Sequence, residues 1–406
     1  MTHANGRSRI CVETPRREGE RVRWEGELRL PTGMAHRIYF EFSTPDDRPY
    51  PVRARPFLLA FLLPAMHAGA PLELDLPVDS VTRNHLLEWQ EAMVAWNPKQ
   101  LRVVPIVAPV EPEPERLQRR PGALTLFSGG VDSCFTVWRH TRRQEPALFW
   151  ATQLSAGLMI HGFDIPLAEE EIFESAWQRS RTLLTAFGLP AYRMATNLRS
   201  MDRVPGCEWG LYAHGIWLAA ALSCFEPWFD QMLIPSSFSY PLMLFPWGSN
   251  PVTDPLFSSA TTGYWHDGAA YSKLAKVQAI ANEPSVQRHL RVCWEGRQLD
   301  RNCGKCFKCI ATQVCFQLGG VEHPEAFPNP CTLAEVAQLP VKHAANDWLL
   351  HKMSAEARRQ GREPIARALD EALAWNAAKK RRQQFKQTFR QWRRNQKQKL
   401  RRFIRI

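Results

Sequence analysis

Apolar residues between positions 123 and 281 follow two patterns in turn: short continuous runs, and stretches with helical spacing. The run at residues 124–127 is typical of a buried strand, and after a break the apolar residues at 134–138 recur with helical spacing. The same two patterns predict strands at residues 147–153, 157–161, 192–196 and 231–235, and helices at 169–187, 211–225 and 271–281. Strands that alternate with helices indicate an α/β fold with a parallel sheet.

Residues 1–122 show a different organisation. Residues 1–22 are polar and are expected to be flexible. Strand-like segments at residues 23–30, 35–42, 71–77 and 101–107, with helices at 57–67 and from 79 or 80 to about 94, predict a small α+β module at 23–109. Prolines that alternate with charged residues at 110–122 predict a linker to a second domain, residues 123–340.

The last segment, residues 341–406, is expected to be a helical extension that ends in a basic tail at 379–406. The chain has 52 Lys and Arg against 40 Asp and Glu, and the tail holds 13 of the basic residues but no acidic one. The rest of the chain, with 39 basic against 40 acidic residues, is nearly neutral. Phe385, Phe389 and Trp392 lie at helical spacing in the tail, which could be a solvated terminus or could bind RNA, an acidic protein or an anionic membrane surface.

The apolar segments and the cysteines bear on the compartment. No apolar segment marks a signal peptide near the N-terminus, and the longest apolar stretches, residues 56–64 and 216–224, are too short or too interrupted to span a bilayer. Four of the ten cysteines crowd into residues 293–309, unlike the spread of a secreted disulfide framework. These features predict a cytoplasmic protein in a reducing compartment.

The break after the strand at residues 124–127 has the sequence SGGVDS, and a helix follows it. A Gly-rich turn between a strand and a helix presents successive backbone N–H groups, a geometry that binds phosphate. Gly129 and Gly130 let the backbone approach an anion closely, and Asp132 offers a carboxylate for Mg²⁺ or for orienting a nucleophile. The predicted phosphate-binding residues are Ser128, Gly129, Gly130, Val131, Asp132 and Ser133.

The string SGGVDS directly after a strand resembles the pyrophosphate loop (PP-loop) of the N-type ATP pyrophosphatases. This superfamily includes GMP synthetase, asparagine synthetase, NAD synthetase, tRNA-lysidine synthetase, RNA thiolases and 7-cyano-7-deazaguanine synthases. The resemblance implies a Rossmann-like parallel sheet and the use of ATP and Mg²⁺. In these relatives the loop binds the β,γ-pyrophosphate of ATP, which leaves when the substrate attacks the α-phosphate.

Polar residues after the other predicted strands are further candidates, because parallel sheets bind ligands beyond the carboxyl ends of their strands. These candidates, which could equally belong to ordinary turns, are His161, Asp164, Asn197 and residues 236–240. The long irregular segment 241–270 is expected to form a wall of the substrate pocket, with polar contacts from Asp254, His266 and Asp267.

The resemblance implies two more ATP-binding residues. The superfamily seats adenosine near the end of the strand that follows the loop strand, which implicates His161. It also points a lysine at the ATP phosphates from a helix after the substrate region. The sequence KVQAI at residues 276–280 matches that context and favours Lys276, with Lys273 as the alternative.

The spacing Cys293-x9-Cys303-x2-Cys306-x2-Cys309 supplies four thiolates, which suit a tetrahedral Zn²⁺. A [4Fe–4S] cluster also accepts four cysteines and is the alternative. A cysteine followed after about nine residues by C-G-x-C-x-x-C resembles the zinc site of the 7-cyano-7-deazaguanine synthases, and a zinc ion with four cysteine ligands is structural. The remaining candidates, expected to be ordinary buried thiols, are Cys134, Cys315 and Cys331.

Together these features predict an ATP-dependent enzyme with Ser128, Asp132, Ser133 and Lys276 as catalytic residues. As the resemblance implies, a substrate carboxylate would be adenylated with release of pyrophosphate, and a nitrogen nucleophile would then displace AMP. Two alternatives are modification of a macromolecule, by RNA thiolation or attachment of a base to protein or nucleic acid, and a non-catalytic nucleotide-binding regulator. The N-terminal module, the basic tail and segment 241–270 depart from the synthase pattern, so the acid or base substrate is not identified.

Overall fold

The computed structural model describes residues 6–110, 122–142, 153–243, 247–293, 295–296 and 298–403. Eleven strands in this part of the chain form one mixed sheet. Their bounds are β1 Ser8–Val12, β2 Arg16–Glu18, β3 Arg21–Arg29, β4 Ala35–Ser43, β5 Leu72–Leu74, β6 Ile106–Val107, β7 Ala123–Leu126, β8 Leu154–His161, β9 Ala191–Thr196, β10 Gln231–Pro235 and β11 Gly263–Asp267.

Eleven α-helices accompany the sheet in the described residues, so the chain is an α/β protein. Their bounds are α1 Arg55–Ala68, α2 Ser80–Trp96, α3 Val131–Thr141, α4 Glu170–Ala186, α5 His214–Ser223, α6 Lys273–Ile280, α7 Pro284–His289, α8 Phe307–Gln317, α9 Leu333–Ala337, α10 Ala344–Arg359 and α11 Glu363–Phe403. Local sequence explains two of the ends. The Asp79 carboxylate caps α2 by accepting from the Thr82 N–H, and Gly69 ends α1 with φ +67°.

The parallel half of the sheet has the order β9-β8-β7-β10-β11. Along the chain, β8 and β9 extend the sheet on one side of β7, whereas β10 and β11 extend it on the other. The strand order therefore reverses between β7 and β10. Ligands of open α/β sheets bind at such a reversal, beyond the carboxyl ends of the strands. The loop that follows β7 lies at this position.

The N-terminal strands continue the same sheet. β4 pairs antiparallel with β9, with Phe40 opposite Thr196, and β3, β1, β5 and β6 follow in that order beyond β4. The Trp217 indole of α5 donates to the Ala60 carbonyl of α1 at 3.1 Å, and both helices belong to one apolar core. Residues 23–109 thus share a sheet and a core with the parallel strands, although the sequence pattern predicted a separate module.

The structure corrects three expectations from the sequence. Residues 1–22, expected to be flexible, contribute β1 and β2, because β1 pairs with β3 and β5 and buries Ile10. Segment 241–270, expected to be irregular, contains β11, which pairs in parallel with β10 at the end of the sheet. Only β6 forms within the strand expected at 101–107. Most of the linker at 110–122 and of the strand expected at 147–153 lies outside the described residues.

The C-terminal residues form α10 and the 41-residue α11. The first part of α11 packs on the body: Leu369 and Ala372 are buried, and the Asn376 amide donates to the Leu339 carbonyl at 2.8 Å. Every described side chain from residue 377 onward is exposed, and the aromatic side chains of the tail lie outside the described part. Among the helices described, none combines the length and the apolar composition that crossing a membrane requires.

Candidate active site and metal centre

The loop between β7 and α3 has a conformation that depends on its glycines. Gly129 has φ +73°, which favours glycine, and a Cβ there would lie 3.1 Å from the Ser180 hydroxyl. Gly130 directly precedes α3, whose first turn leaves backbone N–H groups without helical acceptors. The Ser133 hydroxyl donates to the Gly130 carbonyl at 3.1 Å and holds the loop against this turn. The loop therefore presents the positive end of a helix at the carboxyl end of the sheet, as a phosphate site requires.

Lys276 of α6 reaches this loop from a distant part of the sequence. Its ammonium donates to the Asp132 carboxylate at 2.7 Å, to the Ser236 carbonyl at 2.5 Å and to the Ser236 hydroxyl at 3.0 Å. Lys276 and Ser236 are buried, whereas the Asp132 side chain is 37% exposed. Asp132 therefore keeps a surface open to a ligand while it is held by a buried cation.

A pocket of about 450 Å³, including the solvent at its mouth and here called the loop pocket, opens on the loop. It is lined by Ser128, Gly130, Val131, Asp132, Asp164, Lys273, Arg291, Val292 and Lys308. The mostly buried Arg291 guanidinium donates to the Ser128 carbonyl at 3.1 Å and lies 3.7 Å from the Asp164 carboxylate. The loop pocket thus joins the SGGVDS loop to side chains from later segments of the chain.

The loop pocket gathers three cations against two carboxylates. Burial lowers the pKa of Arg291, and burial together with the charge of Lys273 lowers the pKa of Lys308 to about 7. The Arg291 Nε is buried and finds no hydrogen-bond partner among the described residues. A bound anion would accept a hydrogen bond from the Arg291 Nε. It would also offset the positive charge of the three neighbouring cations.

A larger cleft of about 1130 Å³, including the solvent at its mouth, adjoins the loop pocket. Ser128, Asp132, Asp164 and Arg291 line both. Most of its wall is apolar and comes from the ends of β7, β8 and β10 and from neighbouring segments: Leu126, Phe127, Leu158, Met159, Ile160, Phe163, Ile165, Trp209, Leu218, Ile234, Pro235 and Trp247. An apolar cleft beside a cationic pocket suits a ligand with a flat apolar part and a charged part.

His214, the first residue of α5, lies on the wall of this cleft. Its Nδ1 lies 3.1 Å from the Trp209 carbonyl, so Nδ1 carries the proton and Nε2 is an acceptor. The Nε2 atom is buried and has no hydrogen-bond partner within the described part of the chain. Burial lowers the pKa of His214 to about 4, so its imidazole is neutral at pH 7. His214 can therefore accept a hydrogen bond from a group in the cleft.

Two of the predicted polar contacts, Asp254 and His266, pair with each other instead of lining the cleft. The His266 Nδ1 lies 2.7 Å from the Asp254 carboxylate, and both side chains are buried. They are close enough to His214 to act on its pKa, which Asp254 raises and His266 lowers. The third predicted contact, Asp267, faces α3 and accepts from the Arg139 guanidinium at 2.8 Å. Segment 241–270 reaches the cleft through Trp247.

Two other candidates have structural partners. The His161 ring stacks on Phe173 with centroids 4.2 Å apart, and its Nε2 lies 2.9 Å from the Pro166 carbonyl. The cleft wall therefore includes its neighbour Ile160 but not His161. The Asn197 side chain accepts from a backbone N–H of β4 at 2.9 Å and ties β9 to the antiparallel half of the sheet. Among the residues after β10, Ser237 lines the cleft.

The four cysteines of residues 293–309 come together in the structure. Their sulfur atoms all lie within 4.8 Å of one another, with 3.8 Å between Cys293 and Cys306 and 3.9 Å between Cys303 and Cys309. Four thiolates at about 2.3 Å from a tetrahedral Zn²⁺ would be about 3.8 Å apart. In a [4Fe–4S] cluster each thiolate binds a different iron, which separates the sulfurs further. The cluster could therefore hold one metal ion such as zinc.

The surroundings of the cluster also suit ligation. The hydrogen bond between Cys306 and Cys309 lowers the pKa of Cys306, to about 5, and raises the pKa of Cys309, so Cys306 is the first of the two thiols to ionise. The backbone N–H groups of Lys305 and Cys306 each donate to the Cys303 sulfur at 3.4 Å. Gly304, with φ +77°, provides the tight turn between these residues. The two N–H groups stabilise a thiolate at Cys303, and the turn at Gly304 places them beside it.

The three other cysteines considered from the sequence, Cys134, Cys315 and Cys331, have thiols with raised pKa values. Cys134 and Cys315 are completely buried, as the sequence predicted, and burial raises the pKa of both thiols, that of Cys315 to about 12. Cys331 is half-buried, and burial raises its pKa to about 11. A reactive cysteine needs a lowered pKa, so none of these three thiols is a candidate nucleophile in this environment.

The structure adds three residues that the sequence did not assign to the candidate pocket: Arg291, Lys308 and His214. A signal existed for the first two, since each lies within two residues of a cluster cysteine. No local pattern marks His214, because α5 is apolar on all sides and resembles an ordinary buried helix.

A scan against protein-family models and searches of curated proteins and of solved structures found no match for this chain. The chain's own features therefore define its class. It is an α/β protein with a mixed sheet, a glycine loop at the reversal of strand order and a four-cysteine cluster that could hold a metal.

Proposed function

We propose that this protein is an ATP-dependent enzyme of the PP-loop type. It would adenylate a substrate carboxylate with release of pyrophosphate, and a nitrogen nucleophile would then displace AMP. The observation that carries the proposal is the convergence of the SGGVDS loop with Lys276, Arg291, Lys273 and Lys308 at the reversal of strand order. A helix N-terminus and four cations in one place suit a polyphosphate.

The two cavities match the two parts of ATP. The pyrophosphate would occupy the loop pocket, and the adenosine would occupy the apolar cleft beside the ends of β7 and β8. The α-phosphate would then lie between them, beside the residues that line both cavities, which include Ser128 and Asp132. The acceptor substrate would occupy the rest of the cleft, toward Trp209 and His214.

In the first step, a carboxylate oxygen of the substrate attacks the α-phosphorus. The bond from that phosphorus to the bridging oxygen breaks, and pyrophosphate leaves with the electron pair. Lys276, Arg291 and the loop N–H groups stabilise the charge on the leaving group, which is electrostatic catalysis by preorganised groups. Mg²⁺, which Asp132 would help to hold, supplies further neutralisation of the phosphates when it is bound.

In the second step, an amine attacks the carbonyl carbon of the acyl-adenylate, and AMP leaves with the electron pair of the broken C–O bond. The attacking nitrogen must lose a proton. That proton passes to solvent, and the neutral Nε2 of His214, on the wall of the same cleft, can accept a hydrogen bond that orients the attacking nitrogen. The four cysteines would hold Zn²⁺ as a structural ion, because no ligand position stays open.

The exposed basic part of α11 favours a second candidate function, transfer of the activated group to a macromolecule. The side chains of Lys379, Lys380, Arg381, Arg382 and Lys386 are exposed, and such a helix attracts phosphates or carboxylates. RNA thiolation is less well supported, because the cysteine next to the loop, Cys134, is buried and its pKa is raised. A regulator would bind ATP at the same site without turnover.

A pyrophosphate-release assay tests the proposal. Zinc-loaded protein, ATP and Mg²⁺ are incubated with a panel of carboxylic acids, with and without ammonia, and the products are identified by mass spectrometry. We expect AMP and pyrophosphate in equal amounts, and strong loss of both in S128A and D132N. The matched control T182A removes an exposed hydroxyl on α4 and should behave like wild type.

Formation of ADP and phosphate, or full activity of S128A and D132N, would overturn the mechanism. ATP binding without turnover on any acid, amine, RNA or protein acceptor would support the regulator instead.

A further inference from the structure

The segment that carries the four cysteines also enters the loop pocket. Arg291 precedes Cys293 by two residues, and Lys308 lies between Cys306 and Cys309. Both side chains line the loop pocket together with Ser128 and the other loop residues. The same short stretches of backbone therefore hold the metal ligands and two of the pocket's cations.

Two hydrogen bonds connect this segment to the loop. The Arg291 N–H donates to the Gly129 carbonyl at 2.8 Å, and its guanidinium donates to the Ser128 carbonyl at 3.1 Å. The Val292 N–H donates to the buried Asn302 side chain at 2.8 Å, directly before Cys303. A displacement of the cysteine segment would therefore move the loop as well.

Lys308 lines the loop pocket from the first turn of a helix, a position at which an anion in the pocket would stabilise its charge. Cys306 precedes α8, so Lys308 lies in the first turn of that helix, where the helix dipole repels a positive charge. A buried atom nearby also points to an anion: the Arg291 Nε, on a side chain only 7% exposed, has no acceptor among the described residues. A phosphate group in the loop pocket would supply the missing acceptor and would offset the charge of Lys308.

We propose that Lys308 binds the pyrophosphate group and that the four-cysteine metal centre positions Lys308 and Arg291 for this contact. This inference rests on the proposed function for the identity of the anion. It would give the metal a role in phosphate affinity, although none of the four cysteines that would hold the metal lines the loop pocket.

Pyrophosphate itself is the probe, and its affinity for the zinc-loaded full-length chain is measured by isothermal titration calorimetry. K308Q should weaken binding about tenfold or more, since a charge-assisted hydrogen bond contributes about 1.5–3 kcal/mol. K305Q is the matched control: it removes the same charge from the other C-x2-C step, where the side chain is exposed, and should leave the affinity unchanged. Zinc content and thermal unfolding confirm that both variants are folded and loaded.

The metal is then removed with a chelator. Metal removal should lower the pyrophosphate affinity of the wild type at least as much as the K308Q substitution does. Metal removal from K308Q should lower its affinity by a smaller factor than in the wild type, because one of the two positioned cations is already absent. Circular dichroism and restoration by added Zn²⁺ confirm that the chain stays folded.

Unchanged affinity in K308Q would overturn the role of Lys308, and unchanged affinity after chelation would overturn the coupling. Neither result depends on turnover: a protein with Lys308-dependent pyrophosphate binding that never releases pyrophosphate from ATP would refute the proposed function and support this inference.

Discussion

The Lys276 ammonium donates a 2.7 Å hydrogen bond to the Asp132 carboxylate across 144 positions of sequence. The same ammonium bonds Ser236, so one buried cation joins the loop after β7, the residue after β10, and α6. Because Asp132 is partly exposed, a ligand that contacted its carboxylate would be one side chain away from this cation. The contact makes Lys276 the central electrostatic element of the proposed site.

Replacing Lys276 with methionine should lower pyrophosphate release by about 10²-fold or more, because a preorganised cation is lost from a desolvated site. K273M should mainly raise the KM for ATP, since Lys273 lines the loop pocket. Steady-state kinetics at several ATP concentrations separate the two effects. A larger loss of kcat in K273M than in K276M would show that the wrong lysine has been assigned.

The four-cysteine cluster should bind about one Zn²⁺ per chain, and C306S should reduce that content and destabilise the protein, because metal binding is coupled to folding. Elemental analysis measures the stoichiometry. Cobalt substitution should give the absorption of a tetrahedral thiolate site. C331S, outside the cluster, is the control and should retain the metal. A brown protein that contains iron and sulfide would identify an iron–sulfur cluster instead.

Stability should fall between about pH 6.5 and pH 4 because of His214. Its pKa is about 4 in the folded protein and about 6.5 when unfolded, so in this range the unfolded chain binds the extra proton. Neutral His214 therefore contributes to the free energy of unfolding above pH 6.5. Acidification to pH 4 removes this contribution, which is up to about 3 kcal/mol. Urea unfolding of wild type and H214N at pH 7 and pH 5 measures it. An equal pH dependence in both proteins would contradict the assignment.

The buried ion pair between Arg55 and Glu226 should hold the two halves of the chain together. The Arg55 Nε donates to Glu226 at 2.9 Å, and neither side chain is more than 7% exposed. E226Q should cost about 3–5 kcal/mol because a buried charge loses its partner. D75N, which breaks the exposed pair with Arg9, should cost less than about 1 kcal/mol. Chemical denaturation should show one transition in both variants. Two separate transitions would mean that the N-terminal module unfolds on its own.

Deletion of residues 379–406 should leave the melting temperature nearly unchanged, because every described side chain beyond residue 377 is exposed. Turnover of small-molecule substrates should also persist. Binding of RNA, an acidic protein or anionic vesicles should weaken, with the largest effect at low salt. Loss of small-molecule turnover in a folded deletion variant would assign the tail to the active site.

Much of the fold and part of the candidate site follow from local sequence. The strand before SGGVDS and the helix after it were predicted within a few residues, because apolar periodicity and glycine conformations act over short distances. The cysteine spacing predicted a cluster that the structure brings together, since three of the four ligands lie within seven residues, in a turn and the first turn of the helix that follows it. The edges of the sheet were not predictable in this way. β1 and β11 are short segments that become strands only because a neighbouring strand supplies their backbone partners.

The sequence by itself thus determined the α/β alternation, the glycine loop, the four-cysteine cluster and the position of the excess charge. These features are properties of neighbouring residues. Only the tertiary structure decided that Lys276 contacts Asp132, that Arg291 and Lys308 enter the loop pocket, and that His161 does not line the cleft. The physical reason is that these contacts join segments distant in sequence, and packing of a sheet and its helices, which no local period encodes, sets the distances between them.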